Sequence, residues 1–298
     1  MNNQSLARAL VFSIDNHYVM PFEVLFDSLV RSQSIPDSTP IFVLHGQSLS
    51  TDAQERLTAF ASARHFELRF VFVSDDLLAH TAVGAGDHVS VATYFRLFLA
   101  ELLPAEVDEA VYLDADLLVM KSIRQLFELP IKRAIAAVDH FSPAMSLELW
   151  GKEGGDYFQA GVLLINLRYW REHNLQQHFM EVLRTQKQRI HYWDQCVLNL
   201  SLADKWDRLP IHFNVCHGML PLLSKADFNN ICIVHYDGKG KPWGDGYFRK
   251  LAGQWHKAYQ LTYGNPFRLG LRPNAWKKAL LFYLYAEKGI KLKLAFWR

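Results

Sequence analysis

The sequence predicts an α/β protein with a mostly parallel central sheet flanked by helices. Short buried apolar runs alternate with segments of helical periodicity from the start of the chain. Half of the 298 residues are hydrophobic, which suffices for a large core. Helical segments of about ten to fifteen residues separate the strands, and this spacing favours parallel pairing.

The predicted elements follow one another in a regular order. Each predicted strand is a short run of apolar or β-branched residues, and these runs are 10–14, 41–44, 68–73, 111–119, 134–139, 160–166 and 231–234. The predicted helices have apolar residues at helical spacing, and they are 22–32, 51–64, 92–103 and 194–202. Ser50 is the expected N-cap of the second helix, and Pro104 is expected to close the third. The segment 210–246, rich in His, Gly and Pro, is predicted to form a cap over a site.

Composition excludes several classes of protein. A formal net charge of +2 argues against nucleic acid as the main partner. The three cysteines, Cys196, Cys216 and Cys232, show no CxxC spacing, which argues against a disulfide framework and a thiolate zinc site. We expect them to be buried in a protein of the reducing cytoplasm. No apolar run reaches the roughly 18 residues of a membrane span.

We predict a catalytic domain over residues 1–262 and a basic, aromatic tail over 263–298. Residues 268–298 contain eight Lys or Arg and a single acid, Glu287. Wound as a helix, residues 275–298 place aromatic and aliphatic side chains on one side and lysines on the other, a pattern typical of segments that bind anionic membrane surfaces. The expected location is therefore the inner face of the cytoplasmic membrane, peripherally bound. A C-terminal helix docked on the domain is the alternative.

Two carboxylates, Asp114 and Asp116, lie in the run 111–119, with apolar residues directly before and after them. In an extended backbone, residues i and i+2 point the same way. The two side chains could therefore hold one hard divalent cation and leave coordination positions for diphosphate oxygens. This pattern favours a sugar-nucleotide transferase, because ligands of open α/β sheets bind at the carboxyl ends of strands. An acidic turn without a metal is the alternative.

Polar residues also end or interrupt several other apolar segments, in a particular order. The segments that contain these polar residues are, in chain order, Asp15 to Tyr18 after the first strand, Tyr94-Phe95-Arg96-Leu97, Tyr112-Leu113-Asp114-Ala115-Asp116, the run from Ala160 to Asn166, Asp194-Gln195, and the run from His235 to Trp243. In these motifs and their order the chain resembles the family 8 retaining glycosyltransferases, the group of glycogenin and the bacterial lipooligosaccharide galactosyl- and glucosyltransferases. The resemblance covers roughly residues 9–250 and implies the GT-A type of fold.

The resemblance implies a site for a UDP-sugar donor. Asp15 would bind the uracil ring and Tyr18 would stack on it, while His17 stands where a close relative has asparagine. Arg96 would reach the sugar or the diphosphate, although a surface ion pair is the alternative. The other donor-binding positions that it implies are Asp114, Ala115, Asp116, Gln159, Ala160, Gly161, Gly238 and Lys241. Gln159 departs from the family, in which asparagine is common at this position.

The same resemblance implies a metal ion, a reaction and an acceptor. His235 would be the third metal ligand beside Asp114 and Asp116, for Mn²⁺ or alternatively Mg²⁺. Gln195 and Asp194 would act at the sugar, and no carboxylate nucleophile of the kind used by retaining glycosidases is evident. The implied acceptor-binding residues are His88, Asp139 and Tyr192.

These inferences predict a retaining hexosyltransferase that moves glucose or galactose from UDP-glucose or UDP-galactose. The acceptor would be a saccharide or lipid-linked saccharide of the lipopolysaccharide or lipooligosaccharide core. One alternative is a self-glucosylating primer of the glycogenin type. The other is a non-catalytic scaffold that binds sugar nucleotides at the membrane.

Overall fold

The computed structural model describes residues 8–74, 77, 90–152, 155–238, 240–244 and 251–268. The chain divides into two compact units, Met1–Asp237 and Gly238–Arg298. The first unit contains all the described strands. The predicted acceptor residue His88 and the tail beyond residue 268 lie outside the described residues.

A seven-stranded sheet forms the centre of the first unit. Its strands, in sheet order, are β3 (Leu68–Phe72), β2 (Ile41–His45), β1 (Ala9–Ser13), β4 (Glu109–Leu113), β7 (Phe158–Asn166), β6 (Ile135–Asp139) and β8 (Trp206–Arg208). All neighbouring pairs are parallel except the two that involve β7. The prediction of a mostly parallel sheet is therefore confirmed.

A second, three-stranded sheet consists of β5 (Leu117–Val119), β10 (Ile233–His235) and β9 (Val215–Cys216), in that order. β10 pairs antiparallel with β5 and parallel with β9. The β5–β10 register sets His235 opposite Leu117, the residue after Asp116. This small sheet therefore brings a distant histidine beside the acidic pair.

Helices cover both faces of the central sheet. In β1, Val11 packs in one hydrophobic core, whereas Leu10 and Phe12 pack in the other, as alternation along a strand requires. The α-helices are α1 (Val19–Arg31), α2 (Thr51–Ser62), α3 (Leu99–Leu102), α4 (Pro143–Trp150), α5 (Leu167–Glu172), α6 (Leu175–Thr185), α7 (Trp193–Ser201), α8 (Lys225–Asn229) and α9 (Ala252–Tyr263). Helices α1 and α2 supply one core, and α5, α6 and α7 supply the other. The predicted N-cap is confirmed, because the Ser50 side chain accepts from the Ala53 amide.

The predicted helix over residues 92–103 is the main local error. Residues Val91–Phe98 form a 3₁₀ helix, and only Leu99–Leu102 are α-helical. In a 3₁₀ helix the side chains at i and i+3 eclipse one another. Thr93 and Arg96 therefore share one face, and both contact Asp194.

The second unit contains α9 and an aromatic cluster. The Trp255 ring lies 5.1 Å from the Trp243 ring and 5.2 Å from the Phe267 ring. His256 Nε2 donates to the Pro242 carbonyl at 2.7 Å, which ties the segment before α9 to the helix. Within the described part of the chain, no helix is long and apolar enough to span a membrane.

Candidate active site

Asp114, Asp116 and His235 lie together where the two sheets meet. One ligand atom from each residue lies within 4.8 Å of the others. His235 Nε2 is 3.2 Å from Asp116 Oδ1 and 4.0 Å from Asp114 Oδ2. Two carboxylates and an imidazole are donors that suit a divalent transition metal, so these residues fit the cation that the sequence predicts.

The geometry behind this cluster differs from the sequence prediction. The predicted strand over 111–119 is interrupted, because residues 114–116 form a turn between β4 and β5, which belong to different sheets. The two carboxylates therefore do not approach His235 through alternation along one extended strand. The change of sheet and the pairing of β5 with β10 bring the three side chains together.

Gly161, in the middle of β7, lies directly against this cluster. A Cβ atom at this position would lie 2.3 Å from His235 Cε1 and 2.9 Å from Asp114 Oδ2. Such distances are far shorter than any real contact of a Cβ atom, so His235 and Asp114 can occupy these places only over a glycine. The resemblance assigned Gly161 to the donor, and the structure places it against two of the predicted metal ligands.

Arg96 is a buried cation that joins Asp114 to Asp194. Its Nη2 lies 2.7 Å from Asp114 Oδ1 and its Nε lies 2.9 Å from Asp194 Oδ2. Nη1 donates to the Ala160 carbonyl at 2.5 Å, and the guanidinium lies 4.4 Å from the Tyr112 ring centroid. Arg96 is 3% exposed, so the alternative of a surface ion pair is wrong. Burial lowers the pKa of Arg96, but the two carboxylates more than offset it, and the net pKa is raised.

Asp194, the second residue of α7, is buried beside this arginine. Thr93 Oγ1 donates to Asp194 Oδ1 at 2.5 Å. Burial raises the pKa of Asp194 to about 6, and Arg96 and Thr93 offset only part of that effect. The preceding residue, Trp193, has a φ of 47°, a left-handed conformation that costs ~1–3 kcal/mol and that clusters at functional sites.

The raised pKa of Asp194 should make its contribution to stability depend on pH. The folded protein holds this proton more tightly than the unfolded chain, so stability should fall as pH rises from about 3.8 to about 6. Relative to Asp194→Asn, which has no such proton, the wild-type protein should lose ~3 kcal/mol of unfolding free energy over that window. Urea titrations of both proteins across the window measure this difference. A difference that does not change with pH would contradict the assignment.

Both ends of the Gln195 amide are held in place. Oε1 accepts from the Ala160 amide at 3.0 Å, and Nε2 donates to the Tyr157 hydroxyl at 3.1 Å. Asn199, one turn further along α7, donates to the carbonyls of Gln195 and Phe158, both at 2.9 Å. These bonds fix Gln195 against the β7 segment that contains Gln159, Ala160 and Gly161.

The three residues predicted to bind the uridine follow β1. Asp15 is 4% exposed, and its Oδ1 accepts from the His17 amide at 2.8 Å at the start of the 3₁₀ helix Asn16–Tyr18. Because β1 pairs parallel with β4, these residues lie at the carboxyl ends of adjacent strands together with Asp114 and Ala115. The structure brings them to the predicted edge, and their contact with a uridine stays a prediction.

The remaining predicted site residues belong to other elements of the chain. Asp139 ends β6 and forms an ion pair with Arg208, while Tyr192 precedes α7 and its amide donates to Cys196 Sγ at 3.2 Å. Gly238 and Lys241 belong to the second unit. The φ of Gly238 is 73°, a left-handed conformation that favours glycine. Their proposed ligand contacts stay predictions.

Sequence reasoning missed four residues that hold the site together: Thr93, Tyr112, Tyr157 and Asn214. Tyr112 donates to Asp114 Oδ1 at 3.1 Å, and Asn214 lies 3.0 Å from His235 Nδ1. Asn214 stands between Phe213 and Val215, and a lone amide in an apolar run is the signal that could have drawn attention to it. Tyr112 falls inside a motif that the sequence already indicated, and Thr93 directly precedes another, but residue type alone did not reveal their partners.

A family profile and two relatives show what kind of protein this chain is similar to. The sequence profile of the family described as Glycosyl transferase family 8 matches residues 9–246. Glycosyltransferase GlyF of Streptococcus pneumoniae serotype 4 is 27% identical over 256 residues, and the match covers 84% of this chain and 61% of GlyF. The chain thus spans about three fifths of that relative's length. The lipopolysaccharide 1,3-galactosyltransferase of Salmonella typhimurium is 27% identical over 250 residues, covering 78% of this chain and 72% of that enzyme.

The fold is also that of a solved glycosyltransferase. The crystal structure of galactosyltransferase LgtC in complex with donor and acceptor sugar analogues matches with a TM-score of 0.71 at 23% identity. The match covers 91% of this chain and 99% of LgtC. The predicted GT-A type of fold is confirmed.

Proposed function

The chain belongs to glycosyl transferase family 8, and on this basis we propose that it is a retaining hexosyltransferase. It would transfer glucose or galactose from a UDP-sugar to a saccharide acceptor. The proposed acceptor is a lipopolysaccharide or lipooligosaccharide core, free or lipid-linked. Support for this acceptor comes from the Salmonella relative, whose name describes a lipopolysaccharide galactosyltransferase.

One observation carries the proposal: Arg96 connects the cluster Asp114, Asp116 and His235 to Asp194. The charged diphosphate of the donor would lie at this cluster and the attached sugar at Asp194, so the cluster and Asp194 need to belong to one site. The proposed cation is Mn²⁺, held by the three clustered side chains. When bound, it would act as a Lewis acid that neutralises the charge of the departing diphosphate.

The neighbouring residues suit a front-face displacement at the anomeric carbon. Gln195 is a neutral amide and a poor nucleophile, so it would support the developing positive charge of the sugar rather than form a covalent bond. Asp194 would accept hydrogen bonds from sugar hydroxyls. An oxygen of the leaving diphosphate would take the proton of the acceptor hydroxyl, because in a front-face displacement both groups lie on the same face of the sugar.

The function is tested by measuring donor hydrolysis over a panel of UDP-sugars with Mn²⁺, with intact protein mass recorded in parallel. UDP release from UDP-glucose or UDP-galactose, at constant protein mass, is the expected result. A mass increase by whole hexose units would instead support a self-glucosylating primer. Donor binding without turnover, even after acceptor saccharides are added, would support a scaffold.

Transfer should retain the configuration of the donor, so an α-linked UDP-hexose should give an α-linked product. The physical reason is that the leaving diphosphate and the entering hydroxyl lie on the same face of the sugar. Proton NMR of the first product reads the anomeric coupling directly. A β-linked product formed first would refute the front-face displacement.

Removing the basic tail from Asn274 onward should leave donor hydrolysis intact but reduce binding to anionic vesicles. The tail lies outside the described residues, and this prediction depends on its sequence, in which Lys and Arg near an anionic surface are worth ~1 kcal/mol each. Co-sedimentation of the full-length and truncated proteins, at low and high salt, measures the effect. Equal pelleting of both proteins would show that the tail does not bind the membrane.

A further inference from the structure

Asn214 is a fully buried amide that touches one of the predicted metal ligands. Its exposure is 0%, and it follows the 3₁₀ helix Ile211–Phe213. Asn214 Oδ1 lies 3.0 Å from His235 Nδ1, and Asn214 Nδ2 lies 2.8 Å from Gln159 Oε1. Both ends of the amide are therefore used, one by the second sheet and one by β7.

The direction of each hydrogen bond follows from a backbone group that cannot rotate. The Gly161 amide donates to the Gln159 side chain, so the Gln159 atom in that bond must be the oxygen Oε1. The Asn214 atom that faces the same oxygen must be a donor, which identifies it as Nδ2. The other end of Asn214 is then Oδ1, an acceptor, and it faces His235 Nδ1. His235 Nδ1 must therefore have a hydrogen.

We propose that Asn214, oriented by Gln159, is a positioning residue that holds His235 with its hydrogen on Nδ1 and leaves the Nε2 lone pair for a metal ion. The metal part of this inference depends on the proposed function. Metal-binding histidines commonly donate the hydrogen of their second ring nitrogen to an oxygen, which fixes the tautomer and the ring orientation. Here the oxygen belongs to an amide, which adds no charge to the site.

Two other groups near His235 could oppose this tautomer. Asp116 Oδ1, 3.2 Å from Nε2, would accept a hydrogen placed there. With the hydrogen on Nε2, however, two acceptors, Nδ1 and Asn214 Oδ1, would face each other at 3.0 Å in a buried place. Cys216 Sγ lies 3.7 Å from Nδ1, and a thiol sulfur is only a weak donor and a weak acceptor, so it is the weaker partner.

The same geometry accounts for the departure at Gln159. Its oxygen accepts from both the Gly161 amide and Asn214 Nδ2, and the side chain is 6% exposed. Because asparagine is one methylene shorter, it would have to place its oxygen differently to reach both donors. The Gln159 side chain thus supports His235 through Asn214.

The first test is made on the metal-free protein and does not depend on activity. In ¹⁵N-histidine-labelled protein, the two ring nitrogens of His235 are followed over a pH series and assigned with His235→Gln. At the alkaline plateau, Nδ1 should show the shift of a protonated nitrogen and Nε2 that of an unprotonated one. In Asn214→Leu and in Gln159→Leu the two shifts should move toward the opposite tautomer or toward a mixture. A hydrogen on Nε2 rather than Nδ1 at that plateau in the wild-type protein overturns the proposal.

The second test measures Mn²⁺ affinity in the presence of UDP, by the electron paramagnetic resonance of free Mn²⁺. Asn214→Leu should weaken binding by about 10–100-fold. Asn214→Asp, which keeps an oxygen for Nδ1, should lose less. Ser34→Ala is the control, because Ser34 is an equally buried polar residue whose hydroxyl bonds the Ile123 amide and Ser32 but not His235. It should leave both the Mn²⁺ affinity and the His235 shifts close to the wild-type values.

The outcomes separate this inference from the proposed function. If the wild-type protein binds no Mn²⁺ with UDP, the proposed function fails, and the tautomer measured without metal still decides the role of Asn214. If Asn214→Leu does not fold, Asn214→Asp and Gln159→Leu take its place in both measurements. Unchanged Mn²⁺ affinity and unchanged His235 shifts in folded variants overturn the inference.

Discussion

Asp116→Asn is expected to reduce hexose transfer by about 10²–10³-fold. The asparagine keeps the shape of the side chain but removes one of two negative charges from a cluster whose ligand atoms lie within 4.8 Å of one another. Weaker metal binding and poorer stabilisation of the leaving diphosphate would both follow from that loss. Initial rates measured over a range of Mn²⁺ concentrations separate these two effects, because a higher Mn²⁺ concentration restores only the activity that was lost through weaker metal binding.

Asp52→Asn is a suitable control, because Asp52 is an exposed carboxylate in the first turn of α2. It should transfer hexose at the wild-type rate. Excess chelator should abolish turnover by the wild-type protein, and added Mn²⁺ should restore it. Full activity in excess chelator would exclude a metal requirement and with it the role proposed for Asp114, Asp116 and His235.

The sequence predicted that Asp114 and Asp116 lie together, and the structure confirms this, but the reason was partly wrong. Asp114 and Asp116 were expected to share one side of an extended strand, but they occupy a turn between two sheets. Two strands of the second sheet, β5 and β10, overlap the predicted runs 111–119 and 231–234. Their pairing with each other and with the two-residue strand β9 could not be predicted, because such short strands show no periodicity. His235 was found through the resemblance, whereas its pairing opposite Leu117 is a tertiary feature that no local pattern contains.

The central sheet was easier to predict than the contacts within the site. Its inner strands β1, β2 and β7 are largely apolar runs, as is typical of strands buried on both faces, and this pattern is visible in the sequence. The contacts of Arg96 were not visible. An arginine followed by leucine reads as an ordinary helical pair, and only the packing of the 3₁₀ helix against β7 and α7 shows that it bridges two carboxylates.

The close approach of Gly161 to the predicted metal ligands could likewise not be predicted from the sequence. The resemblance selected this glycine as part of a donor-binding motif. Its structural constraint is steric, because any side chain would occupy the space of the His235 ring and the Asp114 carboxylate. Such a constraint arises between residues more than 40 positions apart in the sequence and becomes visible only when β7, β4 and β10 are assembled.

Arg96→Met is expected to destabilise the protein by about 3–5 kcal/mol. The methionine fills much of the same volume but leaves Asp194, which is 3% exposed, without its cation, and removes the partner of Asp114. It also leaves the Ala160 carbonyl without the bond from Nη1. Arg96→Lys keeps the charge, yet a single ammonium cannot reproduce three contacts made by a planar guanidinium, so an intermediate loss is expected. Urea titrations at neutral pH measure both.

Arg208→Met provides the matched control, because Arg208 also bridges two carboxylates, Asp139 and Asp156, but its side chain is 52% exposed. Exposed ion pairs contribute ~0–1 kcal/mol, so this variant should lose far less stability than Arg96→Met. The double variant Arg96→Met with Asp194→Asn should regain part of the loss, since it no longer buries the Asp194 charge without a cation. Equal losses for the two arginines, or no recovery in the double variant, would show that Arg96 does not stabilise the site by neutralising buried charge.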